Sequence, residues 1–238
     1  MSKKVAEFYD NFAESQFESG IHHRHLAIMQ WLQKFGMPKS GNFLEIGCGV
    51  GTQTELILRY LNLDATVTAV DISIKSIEHA KRRLVKYANL TLIAGDIIDL
   101  NLNEKFDVIV LPDVLEHIPL ELHNNLFKKL SYLLAPSGFM MIHIPHPNYL
   151  EWITSNRPEQ LQIIDNPIYT NNLLGHAYKY GLYLVYLESY SIFTEPEDYQ
   201  VIVLKNKLVE GYRSVKARTF QSLVNRAQRK IKLIIRGR

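Results

Sequence analysis

A chain of 238 residues, 47% apolar and 21% charged, has the length and composition of one sizeable soluble α/β domain with attachments. No window approaches the ~20 continuous apolar residues of a membrane span. The N-terminus MSKKVAEFYDNFAE has neither the apolar run of a secretion signal nor the acid-poor, Arg-rich character of a transit peptide, so a cytoplasmic location is expected.

Cys48 is the sole cysteine, which excludes an intrachain disulfide framework and a zinc site built on paired thiolates. The net charge of +3 hides an asymmetry. Of the 27 Lys/Arg and 24 Asp/Glu, the stretch from Lys205 onward holds 11 basic residues and one acid, leaving 16 and 23 before it, so the body carries about −7 and the tail about +10.

From Lys3 to about Phe35 the apolar residues recur at helical spacing, broken near Ser19-Gly20, which predicts two short helices. Beyond Gly36 to Gly41, strand and helix patterns alternate. Strands are expected at Asn42 to Gly47, Thr66 to Asp71, Leu90 to Ala94, Phe106 to Leu111, Gly138 to Ile144, Tyr183 to Tyr190 and Tyr199 to Leu204. Helices are expected at Gln53 to Leu61, Ile74 to Tyr87, Leu120 to Leu134 and Thr170 to Tyr180. Near-continuous apolar runs such as VTAV, VIVL and MMIHI suit strands covered on both faces, so the pattern predicts a Rossmann-like, mostly parallel seven-stranded sheet with helices on both sides. Ligands in such sheets bind beyond the carboxyl ends of the strands.

Pro145 to Pro167 is expected to be one long irregular connection and the substrate-facing wall of the domain, with Tyr149 and Trp152 as contacts. From Lys205 the apolar residues again take helical spacing with Lys and Arg between them. This predicts a basic amphipathic C-terminal helix suited to a membrane surface or an acidic partner, or else packed against the acidic body. Aromatics are too sparse there for base stacking, which argues against nucleic acid. The expected division is therefore a domain over 1–204, with 1–36 as a helical lid and 145–167 as an insertion, followed by a tail over 205–238.

The stretch Phe43 to Thr54, FLEIGCGVGTQT, organises the rest. An apolar run ends in Glu45 and passes into Gly47, Gly49 and Gly51, as a strand turning abruptly into a helix requires. A dinucleotide signature would place a glycine where Thr52 stands, and an acid two residues ahead of the first glycine is poorly suited to a pyrophosphate. Asp71 and Asp96 follow at the ends of later apolar runs, and FDVIVLPDVLEHIP, Phe106 to Pro119, supplies Asp113, Glu116 and His117 beyond another.

Over roughly Gly41 to Ile144 this succession resembles the class I S-adenosylmethionine (SAM) dependent methyltransferases. The resemblance implies SAM as cofactor and S-adenosylhomocysteine (SAH) as product. It assigns the methionine moiety to the loop of Gly47, Cys48, Gly49 and Gly51, with Glu45 ahead of it, and the ribose to Asp71 with Ile72. Adenine falls to Asp96 and Ile97, and Leu111 and Asp113 complete the site. It also makes Tyr9 a lid residue and Arg24 an anchor for the SAM carboxylate.

His117, in the turn next to the sulfonium in this family, is the expected general base, with His146 as a second candidate and His143 as a substrate contact. A metal site from His117, His143 and His146 lacks a completing carboxylate, so none is expected. The only Cys lies in the glycine loop, which argues against covalent cytosine methylation, and the turn Leu111-Pro112-Asp113-Val114 lacks the Pro-Pro-aromatic motif of adenine or glutamine methylation. The expected reaction is transfer to a hydroxyl of a small molecule, such as a sugar or specialised metabolite. N- or C-methylation and non-catalytic SAM binding are the alternatives.

Overall fold

The computed structural model describes residues 3–207. The basic helix expected past Lys205 lies outside them, except that its first residues belong to the last strand. In chain order the elements are α1 (Lys3–Ser19), α2 (His23–Lys34), β1 (Asn42–Ile46), α3 (Thr52–Tyr60), β2 (Thr66–Asp71), α4 (Ile74–Arg83), β3 (Leu90–Ala94) and β4 (Phe106–Pro112). They continue with α5 (His123–Leu133), β5 (Leu134–Pro145), α6 (Pro147–Asn156), α7 (Thr170–Lys179), β6 (Leu182–Tyr190) and β7 (Tyr199–Asn206). All seven expected strands are present, in the order β3-β2-β1-β4-β5-β7-β6. β3, β2, β1, β4 and β5 pair in parallel, and β7 runs antiparallel to both β5 and β6.

Alternation along the strands divides the core into two layers. Leu44, Ile46, Ile109, Leu111, Met140 and Ile142 face α5 and α7, where Phe127, Leu130 and Leu173 meet them. Phe43, Val108, Val110, Phe139 and Met141 face the opposite side, against Ile28 and Leu32 of α2 and Ile57 of α3. Glu45 and His143 have the parity of this second layer, which is how a strand carboxylate and a strand imidazole come to lie under α2.

The connection after β5 differs from expectation. Residues 145–167 are not irregular throughout. Pro147–Asn156 is a helix, with Pro147 in its first turn and the His146 ring accepting from the amide of Asn148 at 3.2 Å. Proline is tolerated in the first turn because its missing N–H has no helical partner there, and a capping acceptor at the preceding position satisfies an otherwise open amide. Leu150 and Ile153 bury one side of α6, while Trp152 remains 46% exposed with Arg157 over its ring.

Candidate active site

A cavity of about 270 Å³ opens beyond the carboxyl ends of β1, β2 and β4 and is roofed by α1 and α2. Two anchors hold the roof. Asp10 of α1 accepts from the Ser73 hydroxyl at 2.6 Å and the Lys75 amide at 3.1 Å, at the start of α4. Arg24 of α2 pairs through Nε with Asp113 Oδ2 at 2.7 Å.

The glycine turn forms the floor. Its amides serve the fold rather than pointing outward: Gly47 and Cys48 donate to the Val70 carbonyl at 2.7 and 3.0 Å, Gly49 donates to Asp71 Oδ2 at 2.7 Å, and Gly51 to the Cys48 carbonyl at 2.9 Å. What the glycines supply is room. Gly47 has φ +77°, and a Cβ there would come within 2.0 Å of Val114 Cγ2; one on Gly49, at φ +53°, would meet Gln16 Oε1 of α1 at 3.0 Å. Only residues without side chains let the turn after β4 and the roof close so near the backbone.

Four acids ring the cavity, each with different partners. Glu45 lines it, is 1% exposed, and neither of its carboxylate oxygens has a hydrogen-bond partner. Burial pushes its carboxyl up to about 7, with the charge of Asp71 adding and the nearby Thr54 hydroxyl opposing. Asp71 accepts from the amides of Gly49 and Ser73 at 2.7 and 2.8 Å, yet burial still holds it above the usual carboxylate range. Asp113 is held below that range, because Arg24 and His143 outweigh its burial. Asp96 accepts from the Ile98 amide at 3.0 Å beside Ile97.

Most of the expected cofactor residues line this one cavity: Tyr9 and Arg24, Glu45 with Gly47, Cys48 and Gly49, Asp71 and Ile72, Asp96 and Ile97, and Asp113. Gly51 does not, since a Cβ there would meet Leu84 and Ala80 instead. Leu111 is a correction. It is fully buried in the core layer facing α5 and does not reach the cavity, whose wall begins at Pro112.

The histidines separate by partner. His117 lines the cavity, donates from Nδ1 to the Ile164 carbonyl at 2.7 Å and lies 3.0 Å from Asp165 Oδ1, with Nε2 3.7 Å from Glu116 Oε1. Burial disfavours its charged form, but Glu116, Asp165 and the Ile164 carbonyl together raise it above the ordinary imidazole value. Glu116 itself is raised by burial. Tyr9 places its ring 5.9 Å from that of His117, and its buried hydroxyl has no partner.

His143 and His146 are further corrections, since neither lines the cavity. His143 is fully buried between Asp113 and Tyr190, and His146 is the cap of α6. The expected substrate contacts Tyr149 and Trp152 sit on α6, also away from the cavity. In their place the connection offers Gln162, whose buried Oε1 faces no partner, and Asp165 behind His117. Gln53 of α3, with both amide atoms buried and unpartnered, and His25 of α2 are lining residues that the sequence reading did not single out. The polar spacing of Gln53 within GTQTEL, at the first turn of a helix leaving a glycine loop, was the available signal.

Residues 43–138 match the family model described as "Methyltransferase domain". Over this segment the chain is similar to methyltransferase domains. It is 31% identical over 129 residues to malonyl-[acyl-carrier protein] O-methyltransferase 1 of Ilyobacter polytropus, covering 53% of this chain and 45% of that protein. It is 29% identical over 106 residues to nodulation protein S of Sinorhizobium fredii, covering 42% and 45%. The chain thus spans about half the length of the curated relatives it matches.

The same fold recurs in a SAM-dependent methyltransferase of Clostridium acetobutylicum, with a TM-score of 0.65 at 16% identity over 86% of this chain and 98% of that one. It recurs too in the N-methyltransferase NodS of Bradyrhizobium japonicum in complex with SAH, with a TM-score of 0.61 at 20% identity over 77% and 85%. Among the described residues, no helix is long and apolar enough to cross a membrane, and no three His, Cys, Asp or Glu side chains are grouped to hold a metal ion.

Proposed function

We propose that the protein is a SAM-dependent methyltransferase that methylates a hydroxyl of a small molecule. The observation that carries the cofactor half is Glu45. A buried carboxylate with no donor on either oxygen costs several kcal/mol unless it takes up a proton or meets a cation, and the ammonium of a methionine moiety is such a cation. Asp71 retains lone pairs beyond the two amides it serves, enough for a pair of ribose hydroxyls. Ile97 would meet the adenine ring and Asp96 its amine. When bound, SAM supplies a methyl group on a positively charged sulfur.

The remaining steps belong to the chain. Asp113 and Val114 hold the turn that narrows the cavity against Gly47, which serves alignment. His117 is braced by Asp165 and the Ile164 carbonyl through Nδ1, so Nε2 is the nitrogen left to take a proton from the acceptor hydroxyl. The raised affinity of His117 for a proton makes it a stronger base when neutral but leaves less of it neutral at pH 7.

The O-methyltransferase named among the relatives supports oxygen as the acceptor atom. A second reading is N-methylation of a small amine, with His117, which lines the cavity, taking the proton from the acceptor nitrogen. Transfer of a labelled methyl from SAM to a panel of polyhydroxyl and amine acceptors separates the two. Labelled ethers support the hydroxyl reading, and label appearing only in amines replaces it with the second.

A further inference from the structure

The corrected residue His143 has a role that its burial does not explain. It stands in β5 on the α2 side of the sheet and is shut off from the cavity, yet both ring nitrogens are engaged at 2.7 Å, Nδ1 with Asp113 Oδ1 and Nε2 with the Tyr190 hydroxyl. Its ring stacks on Tyr199 at 4.8 Å. The neutral tautomer protonated on Nδ1 fits both bonds, donating to the carboxylate and accepting from the tyrosine. His143 also receives a backbone bond, its carbonyl accepting from the Asp113 amide at 2.8 Å. Asp113 in turn is the one non-glycine residue with positive φ among those described, at +53°, and its second oxygen takes Arg24 of the roof. The next residue, Val114, is the one pressed against Gly47.

We infer that His143 is a positioning residue for the cofactor site: by fixing the Asp113 carboxylate it sets both the turn that closes on Gly47 and the docking of α2 through Arg24. It touches neither ligand nor cavity. The strained backbone at Asp113 is affordable only while its carboxylate is held on both sides, and strain of this kind persists where surrounding structure over-determines it. Loss of the His143 donor leaves Asp113 with one partner, frees the turn and loosens the roof.

This inference rests on the SAM-binding reading, and SAH calorimetry on the full chain keeps the two apart. Absence of SAH binding by the unaltered protein removes that reading and the inference with it. If the unaltered protein binds, His143→Phe, which keeps the ring and loses both bonds, is expected to weaken SAH binding about tenfold, and His143→Asn, which restores a donor near the Nδ1 position, to recover most of it. A residue that served stability alone would lower the melting temperature and leave the SAH affinity of the folded fraction unchanged, and that result overturns the inference.

Should His143→Phe fail to fold, Tyr190→Phe decides, since it removes a single hydroxyl remote from the cavity. About threefold weaker SAH binding supports the positioning role, and unaltered binding rejects it. Trp31 of α2, 5.4 Å from the Tyr190 ring, gives a second readout in a Trp152→Phe background. The SAH-induced change in its fluorescence is expected to shrink in His143→Phe and to be unchanged if the roof docks independently.

Discussion

Asp71 and Asp113 stand at the carboxyl ends of β2 and β4, one on either side of β1, and the chain treats them oppositely. Asp71 meets only backbone amides and is raised by burial, so its remaining lone pairs face the cavity. Asp113 is held by a guanidinium and an imidazole, is lowered by them, and has no oxygen without a cationic or imidazole neighbour. The same side chain at equivalent strand ends thus lines the cavity with acceptors to spare in one place and ties the sheet to the roof in the other. What distinguishes them is whether the opposing layer supplies a charge.

The largest expected effect tests the tight contact between these two regions. Gly47→Ala puts a Cβ 2.0 Å from Val114 Cγ2 at a φ of +77°, and should cost about 3 kcal/mol or more of stability together with SAH binding. Thermal melts and calorimetry read both; a well-folded variant that binds SAH normally would mean the two turns are not locked to one another.

On the β4 side, His117→Ala is expected to lower turnover about a hundredfold while leaving SAH affinity within a few-fold, as a lost general base should. Because Glu116 and Asp165 raise the imidazole, the neutral form gains population as pH rises. The rate should therefore keep climbing above neutrality, where an ordinary histidine of about 6.5 would already be on its plateau. A profile flat from pH 7 upward would sink the base assignment.

On the β2 side, Asp71→Asn keeps the shape but gives up the charge and one acceptor, and should weaken SAM about thirtyfold, or about 2 kcal/mol for two charge-assisted hydrogen bonds. Equal losses in Asp71→Asn and Asp113→Asn would erase the contrast drawn above.

Glu45 sharpens it. Its carboxyl is pushed up to about 7, so below that pH the group is protonated and the ammonium of the ligand finds no counter-charge. SAH affinity should rise about tenfold as pH goes from 6 to 8 and then level off, with Glu45→Gln removing the slope. The apo protein responds with the other sign: a raised acid binds more protons folded than unfolded between its ordinary value and about 7, so stability falls as pH rises through that window, and Glu45→Gln abolishes the fall. The smallest effect belongs to His146→Ala, a helix cap, at about 1 kcal/mol of stability with methyl transfer unchanged.

How much of this was legible in the sequence follows from where the information lies. The strands were readable because apolar runs covered on both faces carry their signal locally, and the glycine turn because positive φ demands a particular residue. α6 was missed: the Pro, Asn and aromatic content of PHPNYLEWITSN reads as loop, although Pro147 in the first turn and the buried pair Leu150 and Ile153 are helix signals. The surroundings of His117 and His143 are not readable locally, because their partners are distant in the chain. Only the folded structure brings Asp165 to His117 and Asp113 to His143, and only there is His143 seen to be shut off from the cavity between Asp113 and Tyr190. Leu111 and Asp113 sit in one motif, but Leu111 lies inside β4 in the core layer, while Asp113 lies past the strand's end, where a φ of +53° turns the chain and its carboxylate meets Arg24. The amides of Gly47, Cys48 and Gly49 are spent on Val70 and Asp71, a pairing set by the β1 to β2 register that glycine spacing does not display.

The most direct test of the account is calorimetric titration of SAH and SAM into the unaltered chain, alongside Asp71→Asn. Binding of both ligands at micromolar Kd or tighter, about −8 kcal/mol, with a clear loss in the variant, is the predicted result. No heat from either ligand, or equal binding by the variant, would contradict a SAM site built on Glu45, the glycine turn and Asp71.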